Sequence, residues 1–188
     1  MNNYNNFLAS KTVEFNGIGF KPKELNKYLF PFQKAIVEWA LQKGRAAIFA
    51  DCGLGKTIMQ LAWADAIAKE TNGNILIVTP LSVSYQTVRE GHKFHIKDQQ
   101  SRDGSVAGKI TVTNYEMISK FNPEDFIGIV IDESSILKSF DGKTRNEIIT
   151  RFDSVKYKLA CSATPSPNDY MELGNHSQFL GVMSYVEM

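Results

Sequence analysis

Residues 45–68, RAAIFADCGLGKTIMQLAWADAIA, combine the residue types and spacing that hold phosphate. An apolar run leads into a Gly-rich turn, and Lys56-Thr57 opens a helical pattern. In a loop of this kind, backbone N–H groups and the helix N-terminus point at phosphate oxygens, and Gly53 and Gly55 let the backbone come close. Lys56 would neutralise charge on the outer phosphates, and the Thr57 hydroxyl would hold Mg²⁺. Read as a Walker A loop, Ala50 takes the first position, and Cys52, Gly53, Leu54, Gly55, Lys56, Thr57 and Ile58 line the nucleotide phosphates. A second acidic feature lies downstream, where FIGIVIDESSILKSF places four apolar residues before Asp132-Glu133. Asp132 would bind Mg²⁺ through water, and Glu133 would polarise the attacking water. Together they describe a site that hydrolyses a nucleoside triphosphate, with Lys56, Asp132 and Glu133 as its catalytic residues. Taken singly, each has a plainer reading: a tight strand–helix turn with an incidental Lys, and an exposed acidic pair in a loop.

Such residues need rigid elements behind them. Short apolar runs predict strands at Ala46–Ala50, Ile75–Thr79, Ile110–Thr113, Ile127–Ile131 and Lys158–Cys161. Most are continuous rather than alternating, as expected for a parallel sheet covered on both faces. Helical spacing appears in Ile36, Val37, Ala40 and Leu41, and again from Lys56 to Lys69. Ser166-Pro167 reads as a cap and first-turn proline opening a last helix. The polar stretch Lys97–Gly108 is expected to be a surface loop. This alternation predicts a three-layer α/β/α P-loop NTPase domain with a mainly parallel central sheet. At the C-terminal end of such a sheet, the acidic pair would sit beside the phosphate loop.

Composition narrows the classes. The protein has 188 residues, 43% of them hydrophobic and 22% charged, with a formal net charge of +1. A chain this long buries roughly 70% of its unfolded surface and needs no metal or disulfide to hold a core. Cys52 and Cys161 are far apart and join no Cys/His cluster, which speaks against a zinc site. No apolar run approaches the roughly 18 residues that a membrane helix needs. The first residues lack the pattern of a signal peptide, so the expected setting is cytoplasmic. His92, His95 and His176 show no ligand spacing and are expected in the core or on the surface. Trp39 and Trp63 lie on helical patterns and are expected in the core or on a lobe surface.

The order of these segments resembles the first RecA-like lobe of superfamily-two helicases, and among them the Swi/Snf-type (DEAD/DEAH-box-like) translocases of double-stranded DNA. LFPFQKAIVEWA, residues 29–40, resembles the family's Q-motif, and ADCGLGKT its phosphate loop. ILIVTPLSVSYQTVRE, residues 75–90, and ITVTNYEMI, residues 110–118, resemble motifs Ia and Ib. DESSILKS is similar to the family's D-E-A-H-x-x-K-N, with Ser135 in place of His and Ser139 in place of Asn. CSATPSPNDYMELGNHSQFL, residues 161–180, resembles motif III.

The resemblance implies ATP and Mg²⁺ as ligands, with Gln33 reading the adenine edge and Phe30 or Phe32 packing near the base. It makes Ser162 and Thr164 a switch that couples the γ-phosphate to DNA, and puts Pro80, Thr113, Asn114, Tyr115 and Lys138 on the nucleic-acid face. It divides the chain into an N-terminal extension, residues 1–20, and an ATP-binding lobe, residues 21–188. A second RecA-like lobe carrying arginine fingers would have to come from elsewhere, and this lobe alone would hydrolyse ATP very slowly. The activity implied is ATP hydrolysis coupled to movement on DNA. The net charge of +1 predicts weak binding to DNA by this piece alone. Alternative readings are the first lobe of a strand-separating or restriction-type helicase, and a stand-alone nucleotide-binding module without motor activity.

Overall fold

Ile75-Leu76-Ile77-Val78-Thr79 is buried at every position, and so are the strands around it, which places a continuous sheet between two covering layers. The computed structural model describes residues 17–135, 148–166 and 173–183. In chain order the elements are α1 (Pro31–Lys43), β1 (Arg45–Phe49), α2 (Lys56–Thr71), β2 (Ile75–Thr79), α3 (Leu81–Lys93), β3 (Asp98–Gln100), β4 (Ile110–Asn114), β5 (Gly128–Asp132), β6 (Tyr157–Ser162) and α4 (Leu173–Leu180). Two 3₁₀ turns, Tyr115–Lys120 and Pro123–Asp125, link β4 to β5. The six strands run in the order β1-β6-β5-β2-β4-β3, and all neighbours are parallel.

Successive strand residues feed opposite faces. Ile75, Ile77 and Val130 meet Leu41, Met59, Leu61, Trp63 and Ile67 on the side of α1 and α2. Leu76, Val78, Ile129 and Ile131 meet Tyr115, Phe121, Phe126, Phe152 and Phe179 on the other. This is the three-layer α/β/α arrangement that the alternation predicts. Helix α2 departs from a simple amphipathic pattern, because every residue from Ile58 to Ala64 is buried between the sheet and its helical neighbours. Trp63 lies within that packing, whereas Trp39 on α1 is exposed. None of the helices among the described residues is long and apolar enough to cross a membrane.

Two expectations need correction. The stretch Lys97–Gly108 is not all loop: Asp98–Gln100 pairs with Ile110–Val112 as an edge strand. Its polar residues carry no hydrophobic period, so only tertiary pairing reveals it. The amides of Ile18, Gly19 and Phe20 donate to the carbonyls of Lys43, Gln42 and Leu41, tying residues 18–20 to the end of α1. Gly19 is required there, since a Cβ would collide with the Leu41 carbonyl. Strands and helices also shift by a residue or two, β1 starting at Arg45 and α2 ending at Thr71. Pro167 lies outside the described residues.

The edge strand introduces a buried acid. Asp98 lies against Gly91 of α3, where a Cβ would meet its carboxylate. Burial pushes its pKa up to about 7, with its own backbone amide and His92 pulling the other way. A folded-state pKa above the ordinary 3.8 means that stability is fullest below that value and is lost as pH rises through about 7. Asp98→Asn should flatten the pH dependence of Tm between pH 5 and 8 and raise Tm at pH 8. Parallel pH profiles for the two proteins would contradict this account.

Candidate active site

Strand register brings the distant motifs together. Phe49 at the end of β1 is level with Ser162 at the end of β6, and Asp132 at the end of β5 is level with Cys161. The loop after β1, the acidic pair after β5 and the Ser-Ala-Thr segment after β6 therefore share one edge of the sheet. The Ala50 amide donates to the Ser162 carbonyl at 3.1 Å, fastening the first of these to the last.

The loop is shaped by its glycines. Gly53 and Gly55 adopt φ of 83° and 77°, the left-handed region that other residues enter at a cost. Gly55 is the N-cap of α2 and supplies no capping side chain, and the first turn contains no acid. The first-turn N–H groups and the positive end of the helix dipole are thus directed at the loop. Lys56 Nζ arches over this hollow and donates to the carbonyls of Ala50 and Asp51, at 2.8 and 3.3 Å. Gln33 lies beneath. Its Nε2 donates to the Leu54 carbonyl at 2.9 Å, and its Oε1 accepts from the Phe30 amide at 2.9 Å. The rings of Phe30 and Phe32 stack nearly parallel beside it, and Phe30 is 64% exposed.

The two glycines make different predictions. A Cβ on Gly53 meets nothing within 4 Å, whereas one on Gly55 collides with the Gln33 amide. Gly53→Ala should cost only the backbone strain, about 1–2 kcal/mol, while Gly55→Ala adds displacement of Gln33. Thermal melts should show the larger loss of Tm for Gly55→Ala. Equal losses would mean that Gln33 does not support the loop.

The acidic pair occupies two environments. Asp132 is only 8% exposed, and burial pushes its pKa up to about 6. The Gln60 amide opposes that shift, Glu133 adds to it, and Lys56 opposes it. Glu133 has φ 53°, an uncommon backbone state for a residue with a side chain, which turns it out of the strand direction. Its Oε1 accepts from Ser135 Oγ at 2.8 Å and from Ser162 Oγ at 3.0 Å. Ser162 Oγ in turn accepts from the Thr164 amide at 3.0 Å. Ser135, standing where the family has His, therefore serves Glu133 directly. A desolvated carboxylate and a hydroxyl on facing elements form the hard-oxygen donor set that suits Mg²⁺ when phosphate oxygens and water complete the shell. Asp132 and Thr57 fit that role.

Two residues here escape a reading of the motifs. Gln60, one turn along α2 from Lys56, is fully buried, and its amide bears on the Asp132 carboxylate. A polar residue within the buried run Ile58–Ala64 is its sequence signal. His176 on α4 is also buried, and its Nε2 shares a hydrogen bond of 2.9 Å with Ser134 Oγ. No spacing rule points to it. Of the two cysteines, Cys52 lies exposed in the loop after β1 and Cys161 is buried in β6, where its thiol is pushed up by burial.

The expected nucleic-acid residues divide. Pro80 caps α3 at the sheet's C-terminal edge, with Leu81 and Tyr85 beside it 54% and 69% exposed. Thr113, Asn114 and Tyr115 are all buried. Thr113 Oγ1 donates to the Ser101 carbonyl, Asn114 Oδ1 caps the following 3₁₀ turn at Met117, and Tyr115 OH donates to the Asp132 carbonyl at 2.6 Å. They fasten the site to the sheet rather than face solvent. Lys138 lies outside the described residues.

Residues 32–188 match the SNF2-related domain. The chain belongs to that family. It is 25% identical over 177 residues to the DNA annealing helicase and endonuclease ZRANB3 of Bos taurus, covering 84% of this chain and 16% of that protein. It is 28% identical over 157 residues to the SWI/SNF-related matrix-associated actin-dependent regulator of chromatin subfamily A-like protein 1 of Xenopus laevis, covering 77% and 16%. Among solved structures, the Sulfolobus solfataricus SWI2/SNF2 ATPase core in complex with dsDNA superposes with a TM-score of 0.76 at 26% identity, covering 89% of this chain and 39% of that one. This SNF2-related chain thus spans 16% of the length of those two curated relatives. Its fold is that of the first RecA-like lobe of a Swi/Snf-type superfamily-two ATPase.

Proposed function

We propose that this SNF2-related lobe binds Mg·ATP between the loop Ala50–Thr57 and the pair Asp132–Glu133, as half of a motor that couples ATP hydrolysis to movement on duplex DNA. The observation that carries the reading is the Ser162–Glu133 hydrogen bond at 3.0 Å, because it joins the acidic turn to the end of β6, whose carbonyl holds the first amide of the loop after β1. In this reading Lys56 leaves the Ala50 and Asp51 carbonyls for the β- and γ-phosphates. First-turn amides of α2 hold the remaining phosphate oxygens. Thr57 and Asp132 would hold Mg²⁺, which neutralises charge as it develops between the phosphates. Glu133 accepts the proton of the attacking water, and Ser162 holds its carboxylate in place. Adenine stacks on the Phe30–Phe32 ledge, which frees the Gln33 amide from Leu54 to meet the base edge.

A single RecA-like lobe has no groups on the far side of the γ-phosphate. Transition-state arginines then come from a second lobe, and such an arginine is typically worth 10³–10⁵ in rate. The dsDNA named for the Sulfolobus solfataricus core supports duplex DNA as the track. Exposed Leu81 and Tyr85 at the start of α3, just after β2, offer a surface to receive it. A steady-state assay tests this reading. The 188 residues should hydrolyse Mg·ATP very slowly, with or without duplex DNA. Fast, DNA-stimulated turnover by the chain alone would overturn the half-motor assignment.

A further inference from the structure

His176 sits where both arms of the site converge. Its Nε2 shares the 2.9 Å hydrogen bond with Ser134 Oγ, one residue beyond Glu133. Its ring meets Phe49 edge-on, with centroids 5.2 Å apart and planes at 83°. Phe49 is the residue before Ala50, whose carbonyl holds Lys56. His176 is 4% exposed and Ser134 is fully buried, so the contact is shielded from water. The far end of the same helix is tied down separately, because Arg45 Nη1 donates to the Leu180 carbonyl at 3.4 Å while Arg45 Nε and Nη2 hold the Lys156 and Val155 carbonyls. Phe179 and Leu180 are packed into the core there. Helix α4 is therefore anchored at its C-terminal end by the sheet and meets the site through His176, the fourth of its eight residues.

From this arrangement we infer that His176 is a positioning residue that transmits nucleotide occupancy to helix α4. Phosphate entering the loop displaces Lys56 from the Ala50 carbonyl, next to Phe49. A γ-phosphate and its attacking water engage Glu133, next to Ser134. Both displacements reach the imidazole, one through a ring contact and one through a hydrogen bond. Because the C-terminal end of α4 is fixed, movement at His176 changes the start of the helix. The route differs from the Ser162–Thr164 link, which leaves the site along the segment after β6. It rests on the reading of the site as an ATP site, and its test keeps the two apart.

The experiment is hydrogen exchange of the Leu173–Leu180 amides in the chain, with and without Mg·AMP-PNP, alongside a calorimetric Kd for the same nucleotide. In the wild-type chain, saturation with nucleotide should slow exchange across the first turn of α4 severalfold. His176→Leu should keep the Kd within about threefold and abolish that response. His176→Gln, whose amide can meet Ser134 Oγ, should restore it. Ser134→Ala breaks the same bond from the other side with little change in volume, and stands in if His176→Leu fails to fold. The double variant should lose no more than either single one, the sign of a shared interaction. Bound nucleotide with unchanged α4 exchange in the wild type would overturn the inference, and so would a full response in His176→Leu or Ser134→Ala. A response that Gln does not restore would overturn the hydrogen bond as its carrier. Absence of nucleotide binding by the wild-type chain would instead overturn the ATP site itself.

Discussion

Replacing Lys56 by alanine is expected to weaken ATP binding by a few hundredfold while leaving the fold almost untouched. Among the described residues the ammonium makes two hydrogen bonds, both to loop carbonyls, and none to the core. Those carbonyls can turn to water, so stability should stay within roughly 0.5 kcal/mol, or no more than about 2 °C in Tm for a chain of this size. Charge-assisted bonds to phosphate are each worth about 1.5–3 kcal/mol, and two of them account for the expected loss of affinity. Titration with a fluorescent ATP analogue, paired with a thermal melt, measures both quantities. Undiminished affinity in Lys56→Ala would remove the loop from the nucleotide site. A large fall in Tm would mean that Lys56 holds the loop together instead.

Glu133→Gln should separate binding from chemistry. The amide keeps the size of the carboxylate and can still accept from Ser135 and Ser162, which now bond Glu133 Oε1 at 2.8 and 3.0 Å. The left-handed φ of 53° is a property of the backbone and passes unchanged to glutamine. What is lost is a base for the attacking proton, typically worth 10²–10⁴ in rate. The expected result is Mg·ATP bound with near wild-type affinity and hydrolysed at least a hundredfold more slowly, read under single-turnover conditions with the second lobe present. Hydrolysis that survives the substitution would assign the base elsewhere, and Asp132 would be the next residue to test. Asp132 differs in kind, since burial holds its pKa at about 6. Below that pH it is protonated and loses its attraction for a cation, so Mg²⁺-dependent binding should weaken as pH falls through about 6.

How much of this was legible in the sequence depends on the range over which each signal acts. The strands announce themselves because a parallel strand covered on both faces must be largely apolar, as residues 75–78 of β2 are. The phosphate loop is legible because its chemistry is local: Gly53, Gly55 and Lys56 are close neighbours in the chain. The acidic pair is legible as a pair, and its place beside the loop follows once a parallel sheet is assumed. Long-range contacts are another matter. Ser134 and His176 lie 42 residues apart, and nothing in either one's neighbours requires them to meet. Gln60 reads as one more polar position on a helix until α2 is seen to be buried on nearly all sides. Thr113, Asn114 and Tyr115 resemble a surface motif, yet β4 lies inside the sheet, between β2 and β3, and its end is packed under the acidic turn. The edge strand Asp98–Gln100 is invisible for a related reason, since a polar edge carries no period-two pattern. Gln33 shows the intermediate case: its place beside the loop is legible from the motif, but its bonds to Leu54 and Phe30 are not.

If these elements make one nucleotide site, a calorimetric titration of the wild-type chain with ATP, run once in Mg²⁺ and once in EDTA, reads it without a second lobe or DNA. Saturable binding of one ATP per chain is expected, markedly weaker when the metal is chelated. No saturable binding in Mg²⁺, or binding indifferent to the metal, would contradict it.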